Sequence, residues 1–107
     1  MPYVIFKCWW PSDKTDEVVN KAFEVTPKFP PDPSLAEQVV QNCVKAGKRG
    51  IINLSISEVK RGKLEEALTR TQEMAVQYQN IVGFEYSIEV WSTAVEAFAA
   101  IGRTPPE

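Results

Sequence analysis

The hydrophobic pattern changes period several times along the chain, and each change marks an element. Residues 3–10, Tyr-Val-Ile-Phe-Lys-Cys-Trp-Trp, are rich in aromatic and β-branched side chains and stop at Pro11, which predicts a strand. Ser12 or Thr15 then suits a helix cap, and Asp13, Asp16 and Glu17 favour the positive end of a helix. Val18, Val19, Ala22, Phe23 and Val25 supply its apolar stripe, and Pro27 ends it near Thr26. The proline-rich stretch 27–34 reads as a loop within the domain, with Phe29 packed against the domain's edge. Residues 34–46 fit two periods. Leu35, Val39, Val40, Cys43 and Val44 have helical spacing, yet Val39 to Val44 is β-branched, contains Asn42 and runs into a glycine-flanked turn. A strand over 38–46 is therefore predicted.

Ala46 to Gly50 reads as a hairpin connection, and 51–59 alternates, with Ile52, Leu54 and Ile56 on one side and Asn53, Ser55 and Ser57 on the other. Leu64, Ala67, Leu68, Thr71, Ala75 and Tyr78, with Met74 beside them, predict a helix from Lys63 to about Asn80. Residues 84–91 alternate again as a fourth strand, with Phe84, Tyr86, Ile88 and Val90 opposed to Glu85, Ser87, Glu89 and Trp91. Thr93 to Glu96 has the form of a capping box that opens a short helix carrying Val95, Phe98 and Ile101 and closed by Gly102. These three apolar residues are expected either to cover a sheet end or to swap onto a second subunit. The expected organisation is one domain over 1–102, with 103–107 as a flexible tail.

The order strand, helix, strand, strand, helix, strand plus a terminal helix predicts an α+β chain of ferredoxin-like βαββαβ type. It has a four-stranded antiparallel sheet and two helices on one face. Right-handed crossovers put the first and third strands in the centre, the fourth beside the first and the second at the other edge. Over 3–91, the segment 51–59 followed by Arg61-Gly62-Lys63-Leu64-Glu65-Glu66-Ala67, and the later Gly83 to Trp91, resemble the dimeric α/β-barrel superfamily. They are similar to its small uncharacterised archaeal members. The resemblance implies two sheets packed face to face. The superfamily includes cofactor-free monooxygenases, haem-degrading enzymes, isomerases, stress-response proteins and effector-binding modules, so whether the chain is an enzyme stays open.

Composition narrows the options. A chain of 107 residues with 44% hydrophobic and 24% charged residues builds one core. Its apolar runs fall far short of the roughly 20 residues that span a bilayer. The amino terminus lacks the plan of a signal peptide, so a cytoplasmic location without membrane partners is expected. A net charge of −2 argues against nucleic acid as a partner, and Lys45, Lys48 and Arg49 read as a solvated turn. The two cysteines, Cys8 and Cys43, lie in predicted strands and read as small buried hydrophobes rather than a reactive pair. Histidine is absent, which counts against zinc and haem chemistry, and no dinucleotide, phosphate-loop or nucleophile-elbow motif occurs. No cofactor and no metal site is expected.

With helices on one face, function belongs to the other. Alternation assigns to it Tyr3, Ile5, Lys7 and Trp9, then Asn53, Ser55 and Ser57, then Glu85, Ser87, Glu89 and Trp91; for the second strand either parity remains open. Bulky Trp9, Trp91, Tyr3 and Ile5 are costly to leave in water, which predicts a homodimer through this face. Lys7 is positioned to meet Glu85 or Glu89 across the ladder. The candidate ligand-binding set is Lys7, Trp9, Asn53, Ser55, Glu85, Glu89 and Trp91, around a small-molecule site between two sheets. The competing view makes the same charges register-fixing salt bridges that bind nothing. Glu85 and Glu89 would stand ~13 Å apart along one strand, too far for a glycosidase pair. Three roles remain: a binding or interaction module, a cofactor-independent monooxygenase or isomerase, and an assembly module growing through the free second-strand edge to higher oligomers.

Overall fold

The computed structural model describes residues 1–106, so the end of the expected tail, Glu107, lies outside the described residues. β1 (Tyr3–Trp10), β2 (Ala36–Gly47), β3 (Gly50–Val59) and β4 (Glu85–Trp91) form one sheet in the order β2-β3-β1-β4. Every neighbouring pair is antiparallel. The ambiguous segment is thus a strand, longer at both ends than its apolar residues alone indicate, and β1 and β3 are central as the crossover rule requires. α1 (Thr15–Val25) follows a single 3-10 turn, α2 (Leu64–Val76) joins β3 to β4, and α3 (Ala94–Ala99) follows β4. No helix is long and apolar enough to cross a membrane among the described residues.

Two apolar clusters attach helix to sheet. Phe6, Cys8 and Trp10 of β1 meet Val18 of α1, Ala75 of α2 and Ile81. Val4 and Val59 meet Ala67 of α2, with Leu64, Leu68 and Ile88 against them. Aromatic stacking extends the first cluster, with ring centres of Trp10 and Phe84 6.1 Å apart and those of Tyr78 and Phe84 5.0 Å apart. Tyr78 lies beyond the helix proper, in the turns after Val76, so α2 ends before Asn80.

Three local expectations change. The apolar stripe of α1 splits in two: Val18 and Val25, seven residues apart, are buried, while Val19 and Phe23 point outward, Phe23 at 77% exposure. Neither Ser12 nor Thr15 caps α1, whose cap position is Lys14. The Thr15 hydroxyl instead accepts from the Trp10 indole at 3.1 Å and donates to the Ser12 carbonyl at 2.8 Å. Of the two cysteines only Cys8 is buried; Cys43 is exposed on β2.

Other local expectations hold. In the capping box of α3 the Thr93 hydroxyl accepts from the Glu96 amide at 3.1 Å, and the Glu96 carboxylate accepts from the Thr93 amide at 2.8 Å. The same carboxylate takes the Met1 ammonium at 2.6 Å, which ties the start of β1 to α3. The expectation that does not hold is a covered sheet end, since Val95 and Ile101 stay exposed. Phe29 is half-buried, and Arg70 of α2 fastens its loop by standing 6.0 Å over the ring and donating to the Pro30 carbonyl. The β2–β3 hairpin closes through Lys48 and Arg49 with Gly47 opposite Gly50. Gly50 has φ +100, and a Cβ there would lie 2.2 Å from the Trp10 carbonyl oxygen, so the turn passes against β1 with no room for a side chain.

Candidate functional site

Residues opposite each other in an antiparallel ladder share a face, so the register assigns every strand residue to one side. Phe6 faces Ser55, Cys8 faces Asn53 and Val4 faces Ser57, which puts Asn53, Ser55 and Ser57 on the helix side. Trp9 faces Ile52, Lys7 faces Leu54 and Ile5 faces Ile56, which puts these three apolar residues of β3 on the open side. The alternation of β3 is as expected, but its phase is the reverse of the expected one. The Asn53 amide confirms the side, since it lies 3.8 Å from the Cys8 sulfur and donates to Asn42 at 3.0 Å. Asn53 and Ser55 are therefore removed from the candidate set on geometry.

The reversal has a physical cause. Helix-to-sheet contact falls on β1, β4 and the near side of β3, reaches β2 only at Ala36, and leaves the rest of β2 largely exposed. The helix side of β2 and β3 need not be apolar when nothing packs on it, so Asn42, Val44, Asn53 and Ser55 coexist there. Over 52–57 the apolar side of β3 is the one turned away from the helices, while Ile51 and Val59 at its ends pack into the helix-side clusters.

The remaining five candidates do share the open face. β4 presents Glu85, Ser87, Glu89 and Trp91, opposite Trp9, Lys7, Ile5 and Tyr3 in turn. β2 presents Glu37, Val40, Cys43 and Lys45, opposite Glu58, Ile56, Leu54 and Ile52; two bulges, between Gln38 and Val40 and between Val40 and Cys43, keep that parity. This settles which residues of β2 point to the open side. The face is thus divided lengthwise, with an apolar half over β2 and β3 and a polar half over Lys7 and β4. Ile5 at the seam is only 6% exposed although no helix covers it.

Both tryptophans of the polar half donate to a glutamate. Trp9 Nε1 lies 2.5 Å from Glu85, and Trp91 Nε1 lies 2.8 Å from Glu89. Lys7 sits 3.6 Å from Glu89, diagonal to it in the ladder, and Ser87 donates to the same carboxylate at 3.3 Å. Of the two expected partners Lys7 therefore takes Glu89, while Glu85 is engaged by Trp9. The Arg49 guanidinium lies 4.8 Å from the centre of the Trp9 ring. Arg49, expected only as a solvated turn residue, joins the site, as do Ile52, Leu54 and Ile56.

The hydrogen bond from Trp91, helped by Lys7 and Ser87, holds the Glu89 carboxyl below the ordinary glutamate range against the opposing push of desolvation. Whatever the ionised Glu89 contributes is present above the ordinary value and disappears as pH falls through the lowered one. Trp91→Phe is expected to move the Glu89 titration back toward the ordinary ~4.3, read from its carboxyl carbon by NMR. An unshifted curve would contradict that cause. On the opposite face, burial pushes the Cys8 thiol up to about 11, with the Asn53 amide acting weakly the other way, so Cys8 stays a protonated core residue. No group of three or more potential metal ligands occurs among the described residues.

By its fold the chain is a small α+β protein with a four-stranded antiparallel sheet and one uncovered face. No protein-family model matches it, and neither a curated protein nor a solved structure matches it at a significant level.

Proposed function

We propose that the chain is a ferredoxin-like domain of the dimeric α/β-barrel kind. It acts as a cytoplasmic homodimer that binds a small molecule between its two sheets. One observation carries the reading: β3 turns Ile52, Leu54 and Ile56 toward the uncovered face and Asn53, Ser55 and Ser57 toward the helices. An isolated sheet gains nothing from that phase, because apolar area on a wetted face forgoes about 25 cal/mol per Å². A second copy laid on the same face recovers it. The strand order and antiparallel pairing suit the fold assignment.

The ligand site follows from the lengthwise division. Apolar side chains of two copies can close on each other, whereas Lys7, Ser87, Glu85 and Glu89 require either water or a polar molecule between them. Tryptophans at both ends of this strip supply flat walls with their N–H groups already committed to carboxylates.

Light scattering at micromolar concentration tests the pairing, with a mass of two chains expected; a single-chain mass would end the reading. A thermal-shift screen of metabolites against wild type and Lys7→Ala then tests the site. Ligands that stabilise wild type should act more weakly on the variant, and equal stabilisation of both would discard the Lys7 site.

A further inference from the structure

The open face is divided by charge along the strands as well as by polarity across them. On the β2–β3 half, Lys45 lies at the hairpin end with Lys48 and Arg49 just beyond it, and Glu37 and Glu58 lie at the other end. Glu37 has Lys60 3.8 Å away, whereas Glu58 has no ion pair among the described residues. Between the charged ends come only Val40, Cys43, Ile52, Leu54 and Ile56.

Given the homodimer proposed above, on which this step rests, we infer the sense in which the copies stack. The two-fold axis runs across the strands, so that Lys45 of each copy, on β2, lies over Glu37 of the partner's β2, next to the Glu58 that pairs with it across the ladder. A two-fold axis between stacked sheets has two principal orientations. With the axis along the strands, β2 covers the partner's β4 and β3 covers the partner's β1. That sets Val40 on a glutamate and Leu54 on a lysine, and charges lose water to apolar groups that return nothing. With the axis across the strands, β2 and β3 cover their own counterparts. Apolar half meets apolar half, polar half meets polar half, and basic end meets acidic end twice over by symmetry. Charge complementarity of this kind fixes register and suppresses the wrong sense of docking. In this arrangement each copy brings its own Lys7 to one shared polar strip.

Charge exchange tests the sense. Lys45→Glu and Glu37→Lys singly should each weaken dimerisation about tenfold, and the double variant should return to within about threefold of wild type, read by sedimentation equilibrium. If the double variant is as weak as the two losses combined while wild type is a dimer, the inferred sense is wrong and the homodimer stands. Rescue of Lys45→Glu by Glu85→Lys instead would assign the axis along the strands. A monomeric wild type would overturn both the sense and the pairing.

Discussion

Ile56→Asp should leave a folded chain that no longer self-associates. Ile56 stands between Ile5 of β1 and Val40 of β2 at the middle of the apolar half, with no cation in either ladder position beside it. In a lone subunit the side chain is only partly buried, so a carboxylate there keeps its water and the fold tolerates it. In a stacked pair the same carboxylate would be enclosed by apolar groups, at a cost of about 3 kcal/mol or more, which is over a hundredfold in dissociation constant. Light scattering should report one chain and far-ultraviolet circular dichroism an unchanged spectrum. Val44→Asp is the control, since Val44 lies on the helix side of β2 and is 62% exposed. It should leave the mass at two chains. Loss of pairing in Val44→Asp with retention in Ile56→Asp would assign the interface to the wrong face.

Gly50→Ala should be the most destabilising of the single-methyl additions. At φ +100 an L-residue is strained in its own backbone, and the added carbon would meet the Trp10 carbonyl oxygen at 2.2 Å, a backbone atom held by the central strand. The expected loss is about 3 kcal/mol by urea denaturation. Gly62→Ala separates the two causes. Gly62 has φ +75 but nothing within 4 Å of the new carbon, so only the backbone strain of about 1 kcal/mol applies. Equal losses at the two sites would show that the approach to β1 relaxes freely.

Strand existence, strand order and the polar half of the open face were legible because they depend on local pattern. Period-2 alternation in 84–91 assigned Glu85, Ser87, Glu89 and Trp91 to one face, and the same logic aligned Tyr3, Ile5, Lys7 and Trp9. The phase of β3 was not legible. Alternation within 51–59 divides its residues into two sets, but which set faces the helices depends on register against β1 and on how far the helices reach. The natural assumption, that the apolar set faces the helices, fails because α1 and α2 leave β2 bare beyond Ala36. Phe23 and Val19 misled for a related reason: five apolar residues on one short helix need not share a partner, and only Val18 and Val25 are buried. The stacking of Arg49 on Trp9 has no local signal, since it depends on the hairpin tip bending back to the first strand.

A bare strand at the rim of a sheet is ordinarily a template on which further chains can zip, row upon row, into a fibre. Here β2 carries two irregularities only a few residues apart, each with one residue more than its neighbour. An incoming straight strand would meet donors and acceptors that fall out of step after a few residues, and would have to break twice to continue. Growth sideways is blunted while stacking face against face is left free, so the molecule's own geometry steers association toward a closed pair and away from an open-ended polymer.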